Sequence, residues 1–332
     1  MLKKKLFTIR EFFQTLLFFL FISNAIANDH QKTLRIGSLQ YGSVNWELKL
    51  IKELELDKQN EFNLKIVELA SKNAAAVALQ GGAVDLIVTD WFWVSRQRSE
   101  NRFFVFVPHS MAAGGIIVSK DSGIKNEKDL SGKKIGIAGG QVDKNWLILR
   151  AFYKKQHGKE LKDVTKQIFG APPLLNKKIQ QKSFDAILTY WPYQAKLLVK
   201  EKFVKILNVK DILTKLNLPE GIPVIGWVFK EKWGKKNQDL LTKFLLTSKE
   251  AKKLMLESNK VWEKIRPNMN VDDDNELFIS LRENYREGIP SKNFTESQIE
   301  GSKKLYSILS EIGGKDLVGK AKQLSPGTFW TK

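Results

Sequence analysis

Asp85-Leu86-Ile87-Val88-Thr89-Asp90-Trp91 and Asp185-Ala186-Ile187-Leu188-Thr189-Tyr190-Trp191 repeat one pattern at a distance of one hundred residues, sharing Asp, Ile, Thr and Trp. Each copy follows a helix-like run. The repeat therefore points to two lobes of similar build rather than one large core. Each copy reads as a short buried strand of Ile, Leu and Val that ends in Thr and then an aromatic residue. In open α/β sheets a ligand sits beyond the carboxyl ends of the strands. Thr89, Asp90 and Trp91 on one side and Thr189, Tyr190 and Trp191 on the other are thus the first candidates to line a cleft between the lobes.

Working outward, residues 33–38 read as a strand, and the loop 39–43 places Gln40 and Tyr41 at its carboxyl end. Residues 46–56 are helical in pattern, with Trp46, Leu50, Ile51 and Leu54 on one face. Residues 64–69 form a second strand. Ser71 caps the helix 73–80, which begins at Asn73, and Gly81-Gly82 ends it before the Asp85 strand. The other half repeats this order. Residues 133–138 are a strand, Gly139-Gly140-Gln141 a tight loop, and 143–156 a helix. Residues 167–169 are a strand, and Pro172-Pro173 opens the helix before Asp185. Two β-α-β-α-β halves imply an α/β protein whose lobes hold largely parallel sheets.

Residues 105–118 carry the chain out of the first lobe, and 221–229 read as a strand that brings it back. Two adjacent crossing strands make a hinge on which the lobes can close. The expected division is lobe one from 28–112 and 226–332, and lobe two from 113–225. Three amphipathic stretches, 239–264, 272–287 and 295–312, are expected to pack on lobe one.

The amino terminus reads as a secretory signal peptide of residues 1–27: a basic head of Lys3, Lys4, Lys5 and Arg10, an apolar stretch from Phe12 to Ile22, and the small-x-small site Ala25-Ile26-Ala27. A transmembrane anchor is the poorer reading, because the apolar run falls short of the ~20 residues that a span needs. The 332-residue chain contains no cysteine. Lipid attachment after cleavage, disulfides, thiol chemistry and Cys-ligated metals are therefore excluded. The net charge is +19, and the four basic groups and one acidic group before residue 28 leave +16 on the exported chain. Such a charge raises nucleic acid as a partner. The lysines, however, lie on polar helix faces such as Lys154-Lys155 and Lys252-Lys253, with no arginine stripe, so they read as a solvated surface.

Nine tryptophans set the character of the cleft. Trp46, Trp91, Trp93, Trp146, Trp191 and Trp227 all fall at or just after expected strand ends. Ordinary core packing accounts for any one of them. Six together indicate a cleft suited to a ring, or to an amine held over an aromatic face. Catalysis finds no support. The histidines His30, His109 and His157 lie apart in the sequence, and no nucleophile, phosphate-loop or zinc motif is present. Asp272-Asp273-Asp274 lacks the glycine and glutamate of a calcium loop and reads as a helix start. No metal and no cofactor is expected.

Thr33-Leu34-Arg35-Ile36-Gly37, Ala78-Leu79-Gln80-Gly81-Gly82-Ala83-Val84-Asp85, Val118-Ser119-Lys120-Asp121-Ser122-Gly123-Ile124 and Asp129-Leu130-Ser131-Gly132-Lys133-Lys134-Ile135-Gly136-Ile137 span nearly the whole exported chain. Together they resemble the periplasmic solute-binding proteins of ABC importers, in the NMT1/THI5-like branch of taurine, alkanesulfonate, nitrate and thiamine-pyrimidine binders. The resemblance implies a two-lobed type II binding protein. It further implies a monomer without enzymatic activity, working in the periplasm, with a small solute, a membrane permease and, through it, an ATPase as partners. The sulfonate binders commonly carry a small-polar turn after the first lobe-two strand. Here that turn is Gly139-Gly140-Gln141-Val142-Asp143-Lys144, which adds Gln141 and Asp143 as candidates; Asp143 either contacts the ligand or merely caps its helix. An acidic group there opposes a bound anion. An exported sensing domain that docks on a membrane receptor or enzyme is the alternative from another class.

The signal-peptide reading makes a direct prediction. Mass spectrometry of the periplasmic fraction should find a chain beginning near Asn28, whereas an intact Met1–Ala27 segment held in membranes would overturn it.

Overall fold

The two aspartates that begin the repeat do the same job in two sheets. The computed structural model describes residues 32–40, 42–223, 225–290 and 294–330. Strands β1 (Lys32–Leu39), β2 (Phe62–Leu69), β3 (Leu86–Thr89), β4 (Phe104–Ser110) and β10 (Ile225–Lys230) form one sheet in the order β2-β1-β3-β10-β4. Strands β5 (Gly115–Ser119), β6 (Lys134–Ala138), β7 (Lys166–Gly170), β8 (Ala186–Thr189) and β9 (Phe203–Asn208) form the other as β7-β6-β8-β5-β9. Asp85 takes the backbone N–H of Arg35 on Oδ2 at 2.9 Å, and the Arg35 guanidinium grips both carboxylate oxygens at 3.0 and 2.6 Å. Asp185 takes the N–H of Lys134 at 2.7 Å. The backbone N–H groups of Asp85 and Asp185 return the bond to the carbonyls of Arg35 and Lys134. Each aspartate thus locks the entrance of the third parallel strand to the first, at mid-strand in β1 and at the start of β6.

The sheets match position for position. In each, three parallel strands are followed by one reversed strand, β10 or β5, and then by an edge strand antiparallel to it. The reversed strand is the one the chain uses to change lobes. Gly37 and Gly136 occupy equivalent sites, and a Cβ there would press to about 3 Å on Leu69 and Ile87, or on Ile187 and Phe184. Helices cover both faces and bury Leu34, Ile36, Leu86 and Phe229 in one sheet and Ile117 and Ile187 in the other.

The crossing segments differ from the continuous strands expected. Residues 105–118 divide into β4 and β5, which belong to different sheets, and the return is a strand only from Ile225. At Gly114 the chain passes so close to β8 that a Cβ would lie 1.7 Å from the Thr189 carbonyl oxygen. The two crossings do run side by side, since Ile225 pairs with Ser110.

The C-terminal helices also depart from expectation, because they do not all pack on lobe one. Gln238–Glu257 lies on the helix Val44–Glu53, but Asn275–Glu287 packs on Trp191–Leu198, and Glu296–Val318 touches both Trp91–Arg98 and Lys144–His157. An amphipathic period identifies an apolar face without naming what will cover it. Asp274 is the N-cap of Asn275–Glu287, accepting from the Leu277 N–H at 2.8 Å.

Removing the Asp85 carboxylate strands a backbone donor and a guanidinium beside a side chain that is only 8% exposed, whereas Asp185 is exposed. Asp85→Ala is therefore expected to cost about 2–3 kcal/mol and Asp185→Ala about 1 kcal/mol, read from urea unfolding midpoints. Equal costs would contradict this account.

Candidate functional site

Four helices begin where parallel strands end, and their first turns face one another between the sheets. Ser71 ends the segment after β2 and caps Lys72–Gly81 through a bond from the Ala74 N–H. Asp90 follows β3 and caps Trp91–Arg98, its Oδ1 accepting from the Trp93 N–H at 2.9 Å. Asp143 caps Lys144–His157, with Oδ1 accepting from the Asn145 N–H at 3.0 Å. Tyr190 follows β8 and precedes Trp191–Leu198.

Across the cleft these turns exchange charges. Lys72 Nζ stands 4.0 Å from Asp143 Oδ2, and Lys144 Nζ stands 3.9 Å from Asp90 Oδ2. Each lobe thus offers one ammonium and one carboxylate to the other. Both separations exceed the ~2.8 Å of a hydrogen-bonded pair, so the charges attract without locking. Tyr190 Oη donates to Asp143 Oδ2 at 2.8 Å, and Lys72 lies 5.1 Å over the Tyr190 ring. Burial, reinforced by Asp143, pushes the Tyr190 phenol far up, which keeps it a donor. Lys72 is held below the usual ammonium value, chiefly by Lys144 and then by burial, although 49% of its side-chain surface still reaches solvent. Gly139 has φ +92°, and a Cβ there would come within 2.8 Å of Tyr190 Oη and 2.9 Å of Asp143 Oδ2. Only glycine allows that approach.

Deeper in, Trp46 meets Trp191 edge-on with centroids 5.8 Å apart, and both lie about 6 Å from Tyr285. This aromatic group spans the seam between the sheets. At the end of β8, the Thr189 hydroxyl is fully buried and makes no hydrogen bond among the described residues.

Of the residues expected to form a site, Asp90, Asp143 and Tyr190 lie at the facing helix starts, whereas Trp46 and Trp191 pack on each other in a buried aromatic cluster. Asp143 proves to be a cap on one oxygen and a cleft contact on the other. Three tryptophans are placed otherwise. Trp91 is 1% exposed, stacks on Phe92 and bonds through Nε1 to the Pro223 carbonyl. Trp146 is 2% exposed against Phe169, and Trp227 is 1% exposed between His109 and Phe244. These three are interior packing and not cleft walls, because the inner face of each element turns its largest side chain to the core. Trp93 packs on Phe104. Gln40, Asn73 and Gln141 are exposed, Thr89 is half-buried beside Gly226, and Tyr41 lies outside the described residues. Lys72 was missed by sequence reasoning, and the burial of Lys144 was not foreseen. Their signal is positional, since each follows directly on a helix cap.

A separate groove of about 440 Å³ lies outside the cleft, where Asn176, Lys177, Tyr193 and Lys196 face Asp274. Among the described residues, no group of acidic or histidine side chains is arranged to hold a metal ion, and no helix is long and apolar enough to cross a membrane.

The NMT1/THI5-like family matches residues 58–260, more than half of the sequence. The chain belongs to the NMT1/THI5-like family. The fold of this family member is shared with solved structures of low identity. The periplasmic aliphatic sulphonate binding protein SsuA from Escherichia coli aligns with a TM-score of 0.73 at 20% identity, over 90% of this chain and 92% of that one. The alkanesulfonate-binding protein SsuA from Xanthomonas axonopodis pv. citri, bound to MOPS, gives 0.67 at 16% identity, over 90% and 98%. A ligand binding component of an ABC-type import system from Staphylococcus aureus gives 0.66 at 13%, over 91% and 97%. No curated protein sequence matches.

Behind the NMT1/THI5-like cleft lies a buried ionic network. Glu47 is fully buried and accepts from Ser248 Oγ at 2.6 Å and Tyr285 Oη at 3.1 Å, with Lys252 Nζ at 3.1 Å. Lys252 also reaches His109 Nδ1 at 2.9 Å, which requires a neutral imidazole as acceptor. Burial, and secondly the Lys252 charge, hold His109 well below its usual range. The unfolded chain binds a proton at His109 below about pH 6.5, whereas the folded chain does not. Stability should therefore fall as pH drops below about 6.5, with a slope approaching ~1.4 kcal/mol per unit from this group. His109→Gln should flatten that slope in urea titrations at pH 7 and 5; an unchanged slope would remove His109 from the account.

Proposed function

We propose that this chain is the periplasmic substrate-binding component of an ABC importer, a monomer that captures a small organic solute between its lobes and delivers it to a membrane permease. The observation that carries the reading is the crossed pairing of Lys72 and Asp90 on one lobe with Asp143 and Lys144 on the other. Side chains placed at facing strand ends, near enough to attract but not hydrogen-bonded, can admit a solute and still close on it. The shared fold with periplasmic and ABC-import binding proteins supports the same reading. The residues proposed to contact solute are Trp46, Asp90, Asp143, Thr189, Tyr190 and Trp191, joined by Lys72 and Lys144.

Closure on a solute shifts a population toward the compact state. Residues 111–114 and 216–223 supply the bend, because both leave regular structure where the chain changes sheet. Trp46 and Trp191 approach from opposite lobes, so closure should also change tryptophan fluorescence.

A thermal-shift panel of taurine, alkanesulfonates, nitrate, betaines, amino acids and aminopyrimidines tests the proposal. A true ligand at one hundred times its Kd adds about 2.7 kcal/mol of stability and should reduce the radius of gyration in small-angle scattering. Trp191→Ala should weaken binding of that ligand by at least ~1 kcal/mol and, since Trp191 is itself buried among Trp46 and Tyr285, should also lower stability. Trp91→Ala should cost ~3–5 kcal/mol of folding stability. Unchanged affinity in Trp191→Ala would remove the seam aromatics from the solute site.

A further inference from the structure

We propose that the cleft selects zwitterions: its solute carries an ammonium group read by Asp90 and Asp143 together with an acidic group read by Lys72 and Lys144. This inference rests on the solute-binding reading above and names the class of solute.

The first ground is what the helix ends have already spent. The first turn of a helix offers free N–H donors and the positive end of its dipole, and so attracts anions. Three of the four helices that open on this cleft are capped by their own side chains, Ser71 with a neutral hydroxyl and the other two with carboxylates. Asp90 holds the Trp93 N–H and Asp143 holds the Asn145 N–H. An anion arriving at either turn loses those donors and meets a carboxylate instead.

The second ground is the charge count. Lys72 and Asp90 face Lys144 and Asp143, so the four groups sum to zero, with unlike charges opposed across the cleft. A lone anion or a lone cation held here leaves one uncompensated charge, which becomes costly once closure excludes water. A zwitterion leaves none. The two ammonium groups also press on each other, since Lys144 is the largest influence lowering the proton affinity of Lys72. An acidic group seated between them relieves that repulsion.

The third ground is the geometry of the carboxylates. Each aspartate uses Oδ1 for its helix and turns Oδ2 to the opposite lobe, at 3.9 and 4.0 Å from a lysine. An ammonium can approach either outer oxygen without breaking its cap, because the caps use Oδ1. Tyr190 Oη, the donor to Asp143 Oδ2, fixes that oxygen in place. The Thr189 hydroxyl, buried and without a partner among the described residues, lies one residue away to serve a further polar group of the solute.

The test uses the exported chain in two arms. In the first, the protein is equilibrated with a small-molecule cell extract and retained solutes are identified by native mass spectrometry. In the second, Kd values are measured by calorimetry for matched probes that differ only in the amine: taurine against ethanesulfonate, 4-aminobutyrate against butyrate, and 2-aminoethylphosphonate against ethylphosphonate. The expected result is retention of a solute with both an amine and an acid, and at least tenfold tighter binding of the amino member in any pair that binds. Asp90→Asn with Asp143→Asn should reduce that ratio to about threefold or less while the protein still folds, because asparagine caps a helix as well as aspartate does. Retention of a lone anion or an uncharged compound, or binding of the des-amino probe as tightly as its partner, would overturn the zwitterion assignment and leave solute binding standing. Failure to retain any solute in either arm would overturn both.

Discussion

A carboxylate at the mouth of the third strand of each sheet helps to fix the strand register on which the cleft rests. A parallel strand pair receives no help from a tight turn, so its register must be pinned by something else. Asp85 and Asp185 supply the pin by holding the N–H of Arg35, within β1, and of Lys134, the first residue of β6. With that register set, β3 and β8 end at Thr89 and Thr189, and Asp90 and Tyr190 fall on the first turns of the next helices. The cleft follows from the register, and its lining follows from the cleft.

The lobes meet through more than the two crossings. Asn275–Glu287 lies against Trp191–Leu198, and Glu296–Val318 spans from Trp91–Arg98 to Lys144–His157. Tyr285 ties this seam to the buried Glu47 network and, through Lys252, to His109 near the end of β4. Packing at the seam and the strand that leads into the crossing are therefore in physical contact through this buried network.

Charge distinguishes this cleft from one built simply for an anion. An open helix terminus needs no side chain to attract a sulfonate or phosphate. Here two termini are closed by Asp90 and Asp143, and Lys72 and Lys144 restore positive charge from across the gap. The surplus of lysine elsewhere on the surface does not enter this balance, because solvent screens it beyond about 10 Å.

The two-lobed fold was legible in the sequence because the repeat reports a local pattern: Ile, Leu and Val alternate with turn residues in the same order in both halves, and period and spacing survive without knowledge of contacts. Ser71 as a cap, and Pro172-Pro173 and Asp272-Asp273-Asp274 as helix starts, were legible for the same reason, since each acts within a few residues of itself. What only the tertiary structure decided was which face of an element meets which neighbour. Trp91 and Trp191 are equivalent in the repeat, yet Trp91 turns into the core beneath Phe92 and Trp191 meets Trp46 across the seam. Lys72 and Asp143 stand 71 positions apart and carry no mutual signal in the chain, and they become partners because two sheets place two strand ends on opposite sides of one gap.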